Sequence, residues 1–376
     1  MFIREGYNTA LEGVASLERW KPIATTDRQR TRFDEVLHYP EGLYELGNRI
    51  YAWMLPNGCW YESNAGLVVG EGESLLVDTL ADLNLTGEML QAMRPITQSA
   101  PVKYLVNTHS DGDHIWGNEL VPDAEIIMSK ACEEESRELK PAAMTMLGKT
   151  GGILALLPVK KVKKIGNYFH NMVAPFAFNG TKVRTANRAF EKEMALEVGG
   201  REVRLIEVGP AHTRGDLMVH VPDAKTLFAG DMLFAGATPV MWAGPVENWI
   251  AAMEKILEMD VDTIVPGHGP VCDKEVVSQT KEYWEFLKCE AGKRFDAGMS
   301  VKDAAYEIAL GEDFSRRRYL QWDSPERIMT NVHIIYRHQK KRTGHLKTAE
   351  KLNILRKQAL LAYEMPDASP ASMRTL

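Results

Sequence analysis

The stretch Val106-Asn107-Thr108-His109-Ser110-Asp111-Gly112-Asp113-His114 decides how this chain is read. Two histidines and two carboxylates fall within six positions, directly after the apolar run Val102 to Val106. Side chains on a short loop past a strand can turn toward one point, and imidazole with carboxylate is a ligand set for a divalent metal. Gly112 gives the backbone the freedom to fold so many polar side chains inward. A plain polar turn would also account for these residues, and the rest of the chain decides between the two.

Working outward, 376 residues can bury a large core, and the length suggests two or three domains' worth of material. The composition is that of a soluble protein, 45% hydrophobic and 26% charged with a net charge of -6. No apolar run reaches the ~18 residues of a membrane span, and the start, Met1-Phe2-Ile3-Arg4-Glu5-Gly6, lacks the apolar core of a signal peptide. Cys59, Cys132, Cys272 and Cys289 show no CxxC spacing, which argues against a disulfide framework or a thiolate zinc site. A cytoplasmic location with reduced thiols is expected. Residues 273–376 carry a mild excess of basic residues and residues 1–272 an excess of acidic ones, which sets a candidate boundary near 272.

The pattern divides into an N-terminal arm over residues 1–33, a main domain over 34–272 and a helical extension over 273–376. Strand-like runs occupy Leu43 to Leu46, Arg49 to Met54, Gly66 to Val69, Ser74 to Thr79 and Val102 to Val106. They resume at Met194 to Val198, Val203 to Val208, Leu217 to Val221, Thr226 to Ala229 and Asp262 to Val265. Helical periods at Leu83 to Met93 and Glu247 to Glu258 complete a mixed α/β layered pattern. The insertion 130–180 reads either as a lid over a site or as a surface helical hairpin. Its Gly148-Lys149-Thr150 is not a phosphate loop, because Ala143 stands where the first glycine is needed. In the tail, Asp273 caps a helix expected to stop at Gly292. Ser300 to Asp303 forms a capping box, and a helix starting at Ser324 carries the apolar stripe Ile328, Val332, Ile335 and Tyr336. The last ten or so residues read as disordered.

Three later residues repeat the opening pattern. His212 follows one strand, Asp231 follows another in Phe228-Ala229-Gly230-Asp231, and His268 follows a third in Val265-Pro266-Gly267-His268. Each sits just past the C-terminal end of a strand, where open α/β sheets collect ligands. Together with Asp78, which ends the Ser74 run, this order resembles the metallo-β-lactamase superfamily over roughly residues 40–272. The resemblance implies an αββα sandwich with two metal ions at one edge. It implies one metal on His109, Asp111 and His212, a second on Asp113, His114 and His268, and Asp231 as the bridge. Asp78 then orients a ligand histidine from behind.

One position departs from the family's H-x-H-x-D-H: the second histidine is Asp111 here. The flavodiiron branch of the superfamily also has a carboxylate there, a Glu. A carboxylate makes the first metal a weaker Lewis acid and favours Fe or Mn more than an all-histidine set would, with Zn the first expectation. Alternatively the shorter arm points away, or only one ion binds tightly. The context of His212 to Asp216 looks most like the glyoxalase II-like hydrolases.

A hydroxide shared by two metals can attack a carbonyl that one of them polarises, so the expected function is hydrolysis of a small ester, thioester, lactone or amide, with Asp113 and Asp231 as catalytic residues. A di-iron redox enzyme acting on oxygen or nitric oxide ranks second, and a metallo-nuclease gripping phosphates with Lys160 to Lys164 and Arg337 to Arg342 third. Trp116, Phe234, Met241 and Trp242 follow ligand motifs and are candidate pocket walls, with core packing as the alternative. Trp284, Tyr319 and Trp322 would join them if the tail packs beside the metals. His170 is the one remaining histidine of interest. No nucleic-acid or membrane partner is expected, and the tail's apolar faces suggest a homodimer.

Overall fold

The computed structural model describes residues 20–375 apart from positions 139 and 366. Most of the expected N-terminal arm, residues 1–19, lies outside the described residues.

Alternating and continuous apolar runs build two sheets. The first has eight strands in chain order: β1 (Pro22–Thr25), β2 (Gly42–Gly47), β3 (Ile50–Met54), β4 (Ala65–Val69), β5 (Ser74–Val77), β6 (Val102–Val106), β7 (Glu125–Ser129) and β8 (Arg188–Phe190). Pairing is antiparallel from β1 to β5 and parallel from β5 to β8. The second sheet runs β9 (Glu193–Val198), β10 (Arg201–Glu207), β11 (Leu217–Val221), β12 (Thr226–Phe234) and β13 (Thr263–His268), with only β12 and β13 parallel.

Successive side chains on a strand point to opposite faces, so a strand covered on both sides must be apolar throughout. Leu75 and Val77 of β5 therefore meet Leu205, Val219, Phe228 and Val265 between the sheets. Leu76, between them, points outward with Leu67 and Leu105 against Leu85, Met89 and Met93 of helix α1 (Leu83–Thr97). On the far side Met218, Leu227 and Ile264 are covered by helix α6 (Val246–Glu258) and helix α7 (Lys274–Asp296) through Trp249, Met253, Ile256, Val277 and Trp284. The result is the helix–sheet–sheet–helix sandwich expected from the sequence.

Between β6 and β9 lie the short helices α2 (Gly112–Ile115) and α3 (Lys130–Ser136) and the hairpin of α4 (Pro141–Ala155) and α5 (Lys160–Val173). After α7 come α8 (Val301–Ala309), α9 (Glu312–Ser315), α10 (Ile328–Gln339) and α11 (Thr348–Ala362). Ile328, Val332, Ile335 and Tyr336 of α10 are buried inside the chain, in the same cluster as the second sheet. That face is covered without a second copy.

The structure differs from the sequence-based expectation at several points. Strands β1, β7 and β8 lie outside the expected runs; β1 and β8 are the half-exposed edges of the first sheet and carry no apolar run, and the apolar run in β7 is short. Helix α7 runs through Gly292 to Asp296, since one glycine costs only about 1 kcal/mol against alanine and ion pairs from Glu290 to Lys293 and Arg294 span the site. The chain end is packed rather than loose: Met373 is buried, and Asn171 of α5 donates to the Ser372 carbonyl at 2.7 Å. Ser300 caps α8 as expected, accepting from the Asp303 amide.

Candidate metal centre

Strand ends deliver the polar residues to one place. Directly after β5 comes Asp78, held at a positive φ of 61°. There its Oδ1 accepts from the Thr108 amide at 2.7 Å, and its Oδ2 accepts from the Thr108 hydroxyl at 2.7 Å and from His114 Nδ1 at 3.0 Å. The loop after β6 then turns into α2, and Asn107 ties it down by donating to the His114 carbonyl. The loop before β11 is shaped by Asp216, whose carboxylate accepts from the Ala211 and Thr213 amides and the Thr213 hydroxyl. Strands β12 and β13 lie side by side, and Gly267 passes so close to Asp231 that a Cβ there would sit 2.0 Å from Asp231 Oδ1.

Each of the four imidazoles is anchored through Nδ1. His109 donates to the Thr108 hydroxyl (2.9 Å), whose own proton goes to Asp78, which fixes the tautomer. His212 is held by the Val240 carbonyl at 2.6 Å and His268 by the Glu62 carbonyl at 3.1 Å. Every Nε2 thereby faces the centre, the atom through which a histidine so anchored ligates a metal once its proton is displaced.

The centre gathers His109, Asp111 and His212 as one set and Asp113, His114 and His268 as another, with donor atoms in each within 4.8 Å of one another. Asp231 lies between the sets. Its Oδ2 is 3.2 Å from His212 Nε2 and 3.4 Å from His268 Nε2, and its Oδ1 is 3.2 Å from His114 Nε2. Asp111 Oδ2 lies 3.1 Å from His212 Nε2, and Asp113 Oδ2 3.3 Å from His268 Nε2. Two ligands on one tetrahedral ion with ~2.1 Å bonds stand roughly 3.4 Å apart, so these separations suit shared cations. The buried His109 Nε2, His114 Nε2 and Asp231 Oδ1 have no hydrogen-bond partner, a costly state that a cation would relieve. The donor set fits the metal pair that the fold implies.

The electrostatics agree. Burial and the neighbouring His114 charge push His109 down to about 3. Against burial, the Asp231 and Asp111 carboxylates lift His212 to about 10. Against burial, four imidazoles hold Asp231 well below the usual carboxylate range. Asp111 is held low against burial by His212, His109 and, from outside the cluster, Lys351. Protons and metal ions compete for the same atoms here. Asp111 has a side chain 31% exposed, while the other candidate ligands are at 9% or less, so solvent reaches the centre past Asp111.

Of the candidate walls, Phe234 stacks on His268 with ring centroids 4.9 Å apart and buttresses the centre. Trp116 is buried against Tyr61 and Phe178, and Met241 is buried with its amide on Asn331. Trp242 is half-buried and lines a cleft of about 410 Å³ with Arg214, Arg337, His338, Arg342 and Lys351. The amides of Trp242 and Ala243 donate to the His212 carbonyl, which sets this cleft beside the centre. Trp284, Tyr319 and Trp322 are not pocket walls; they are buried in the core beneath α6 and α10. His170 bonds the Gly148 carbonyl within the hairpin. Cys59 and Cys132 are buried thiols pushed well up by burial, unsuited to nucleophilic work. Sequence reasoning missed Thr108 and Lys351: the first is one ordinary residue beside a motif, and the second sits on α11, far along the chain from every ligand.

Comparison with known proteins places this arrangement. The metallo-beta-lactamase superfamily model matches residues 60–268. The chain is 26% identical to a beta-lactamase-like protein 2 homolog of Caenorhabditis elegans over 59% of this chain and 61% of that one. It is 21% identical to the 2,4-dinitroanisole O-demethylase subunit alpha of a Nocardioides strain, over 84% of this chain and 80% of that one. A hydroxyacylglutathione hydrolase of Synechococcus is 24% identical over 34% of this chain and 50% of its own length. The solved stereoselective inverting sec-alkylsulfatase Pisa1 from a Pseudomonas shares the fold with a TM-score of 0.61, 16% identity, and coverage of 89% of this chain and 61% of that one. The chain thus spans about three-fifths of the worm relative and four-fifths of the demethylase subunit. With the family model covering more than half of it, and the strand-end histidines and aspartates gathered at one sheet edge, this chain belongs to the metallo-beta-lactamase superfamily.

Proposed function

We propose that this chain is a dinuclear metal-dependent hydrolase acting on a small substrate with an ester-like carbonyl, a thioester first among them. The observation that carries the reading is Asp231, set between two His/Asp triplets with its oxygens 3.2 to 3.4 Å from imidazoles of both. His109, Asp111 and His212 would hold one ion, Asp113, His114 and His268 the other, and Asp231 both. When bound, two divalent ions supply a nucleophile from water at neutral pH and polarise the scissile group. The chain's own residues do the rest. Asp78 and Thr108 fix imidazole orientation, Phe234 and the buried strands exclude bulk water, and Asp113 and Asp231 are placed to accept the proton of an attacking water. Zinc is the first expectation, and Asp111 widens the choice to iron or manganese.

The cationic cleft supports a substrate with an anionic handle. Lys351 and Arg342 make no ion pair among the described residues, and Lys351 Nζ lies 5.8 Å from the Trp242 ring. An acylglutathione, the compound class in the name of one relative, joins a thioester to carboxylates. A second reading, cleavage of an aryl ether, draws on breadth: the O-demethylase subunit aligns with 84% of this chain, against 34% for the hydroxyacylglutathione hydrolase.

The test is metal analysis of protein purified without added metal, followed by a panel of acyl-coenzyme A and S-acylglutathione thioesters, lactones, nitroaryl methyl ethers and secondary alkyl sulfates. Two ions per chain and turnover of thioesters that a chelator abolishes are expected. Ether turnover alone would move the assignment to the second reading. No metal bound after reconstitution would overturn both.

A further inference from the structure

The α4–α5 hairpin carries features that the reaction does not use. From Lys140 to Phe190 there is no Asp or Glu, while nine Lys and Arg occur there, in a chain whose net charge is -6. Ten large hydrophobic side chains are exposed among the described residues, and five of them are Met146, Ile153, Leu156, Leu157 and Val159 on this hairpin. Leu156 is 85% exposed. A soluble surface rarely gathers that many apolar side chains at one tip without a use for them.

The tip is held out rather than left to collapse. Gly151 and Gly166 let the two helices approach so closely that a Cβ on Gly166 would lie 2.4 Å from the Ala155 amide nitrogen. At its base the hairpin is fixed by Tyr168 donating to Glu326 at 2.8 Å and by the Phe178 ring against Trp116, 5.1 Å between centroids. The link Leu156–Val159 therefore projects three aliphatic side chains from a rigid stem. Behind it, an apolar groove of about 570 Å³ is lined by Leu154, Val162, Ile165, Phe169 and Leu352. Lys160, Lys161 and Lys163 flank the tip and make no ion pair among the described residues, whereas Lys164 is within 3.9 Å of Glu364.

We propose that this tip docks the protein onto an anionic lipid surface, with Leu156, Leu157 and Val159 entering the interface and the lysines meeting the headgroups. Aliphatic side chains ringed by lysine suit the boundary between acyl chains and charged headgroups. No helix among the described residues is long and apolar enough to cross a membrane, and the three side chains of the tip reach no deeper than the interface. A second copy is a poor occupant, because a two-fold contact at this tip would set lysine cluster against lysine cluster. Nucleic acid is a poor one too, since the tip offers aliphatic side chains where bases would stack on aromatic ones.

The test uses the full chain in co-sedimentation with vesicles of phosphatidylcholine alone and of phosphatidylcholine with about 30% phosphatidylserine. At ~0.1 M salt, partitioning to the anionic vesicles should exceed that to neutral ones by on the order of tenfold, and fall at ~0.5 M salt. Leu156→Asp with Leu157→Asp should lower it by on the order of tenfold or more, and Lys160→Glu with Lys161→Glu should do the same. Both pairs are solvent-facing and outside the metal centre, so unchanged thermal unfolding and metal content certify the fold. Absence of binding to anionic vesicles, equal binding to neutral ones, or full binding by the leucine variant would overturn the proposal. So would a variant that loses only dimers in light scattering, or only duplex DNA in a gel shift, with no vesicle binding in the parent protein.

Discussion

Thr108 offers the sharpest handle on the centre, because one hydroxyl serves two histidine anchors. It donates to Asp78 Oδ2 at 2.7 Å and accepts from His109 Nδ1 at 2.9 Å, while Asp78 in turn holds His114. Thr108→Val keeps the shape and removes both bonds. The buried His109 Nδ1 proton is then unpaired, and Asp78 loses one of its three donors but keeps the Thr108 amide and His114. An unpaired buried donor costs ~1–3 kcal/mol and a bond to a charged group ~1.5–3; after relaxation a loss of about 3 kcal/mol in the stability of the metal-free protein is expected. Metal affinity should fall on the order of 10- to 100-fold, since His109 can rotate and take the wrong tautomer. Urea unfolding gives the first number and competition with a chelator the second. Thr108→Ser retains the hydroxyl and should recover most of both. A valine variant that binds metal within about twofold of the parent would refute the claim that Thr108 orients this site.

Asp231→Ala should abolish the shared position, lowering turnover by at least on the order of a hundredfold and reducing bound metal below two per chain by elemental analysis. Asp111→His should raise zinc occupancy relative to iron or manganese in protein from the same growth medium, and unchanged metal ratios would show that Asp111 is no ligand. Glu62, wholly buried, is pushed up to about 7 by burial against the attraction of Arg32. Its folded value lies above the ordinary 4.5, so stability that is full below about pH 4.5 is lost as pH rises through about 7. Glu62→Gln removes that loss, and relative to the parent it should gain about 3 kcal/mol between pH 4 and pH 8 in urea unfolding; parallel stability curves would contradict this.

Much of the sandwich was legible because strands buried on both faces announce themselves. Runs such as Ser74 to Val77 and Leu217 to Val221 are covered on both sides and leave little room for polar residues. The centre was legible for a related reason, since a histidine or aspartate just past such a run has few other uses. What escaped was of two kinds. Three-residue strands such as Arg188–Phe190 are made by their neighbours, not by their own pattern. The chain end, whose polar composition suggests disorder, is anchored by buried Ala368 and Met373 and by the bond from Asn171 to the Ser372 carbonyl, none of which a local period could reveal. Residues such as Trp284 and Tyr319, plausible as pocket walls, proved to be core because the tail packs beneath α6, a tertiary choice invisible in local pattern.

The departure at Asp111 and the lysine on α11 belong to one arrangement. In the proposed dinuclear centre, Asp111, Asp113 and Asp231 would set three negative charges against the four positive charges of two divalent ions, whereas an imidazole in place of Asp111 would leave only two. The Lys351 ammonium acts on Asp111, the most exposed of the candidate ligands, and lines the cleft that lies beside the centre. A lysine beside two dications with less carboxylate would be repelled more strongly, and its ability to hold an anionic substrate at the mouth would fall with it. In the proposed centre, a carboxylate at Asp111 that would weaken the first metal as a Lewis acid would also favour a cation in the adjoining cleft. Asp111→His should therefore weaken binding of an anionic substrate even where it improves zinc loading, and Lys351→Met should weaken binding in the parent more than in the histidine variant. Substrate-analogue titration of the four proteins, singly and doubly substituted, measures both effects, and equal losses from Lys351→Met in the two backgrounds would show that the lysine and the aspartate act independently.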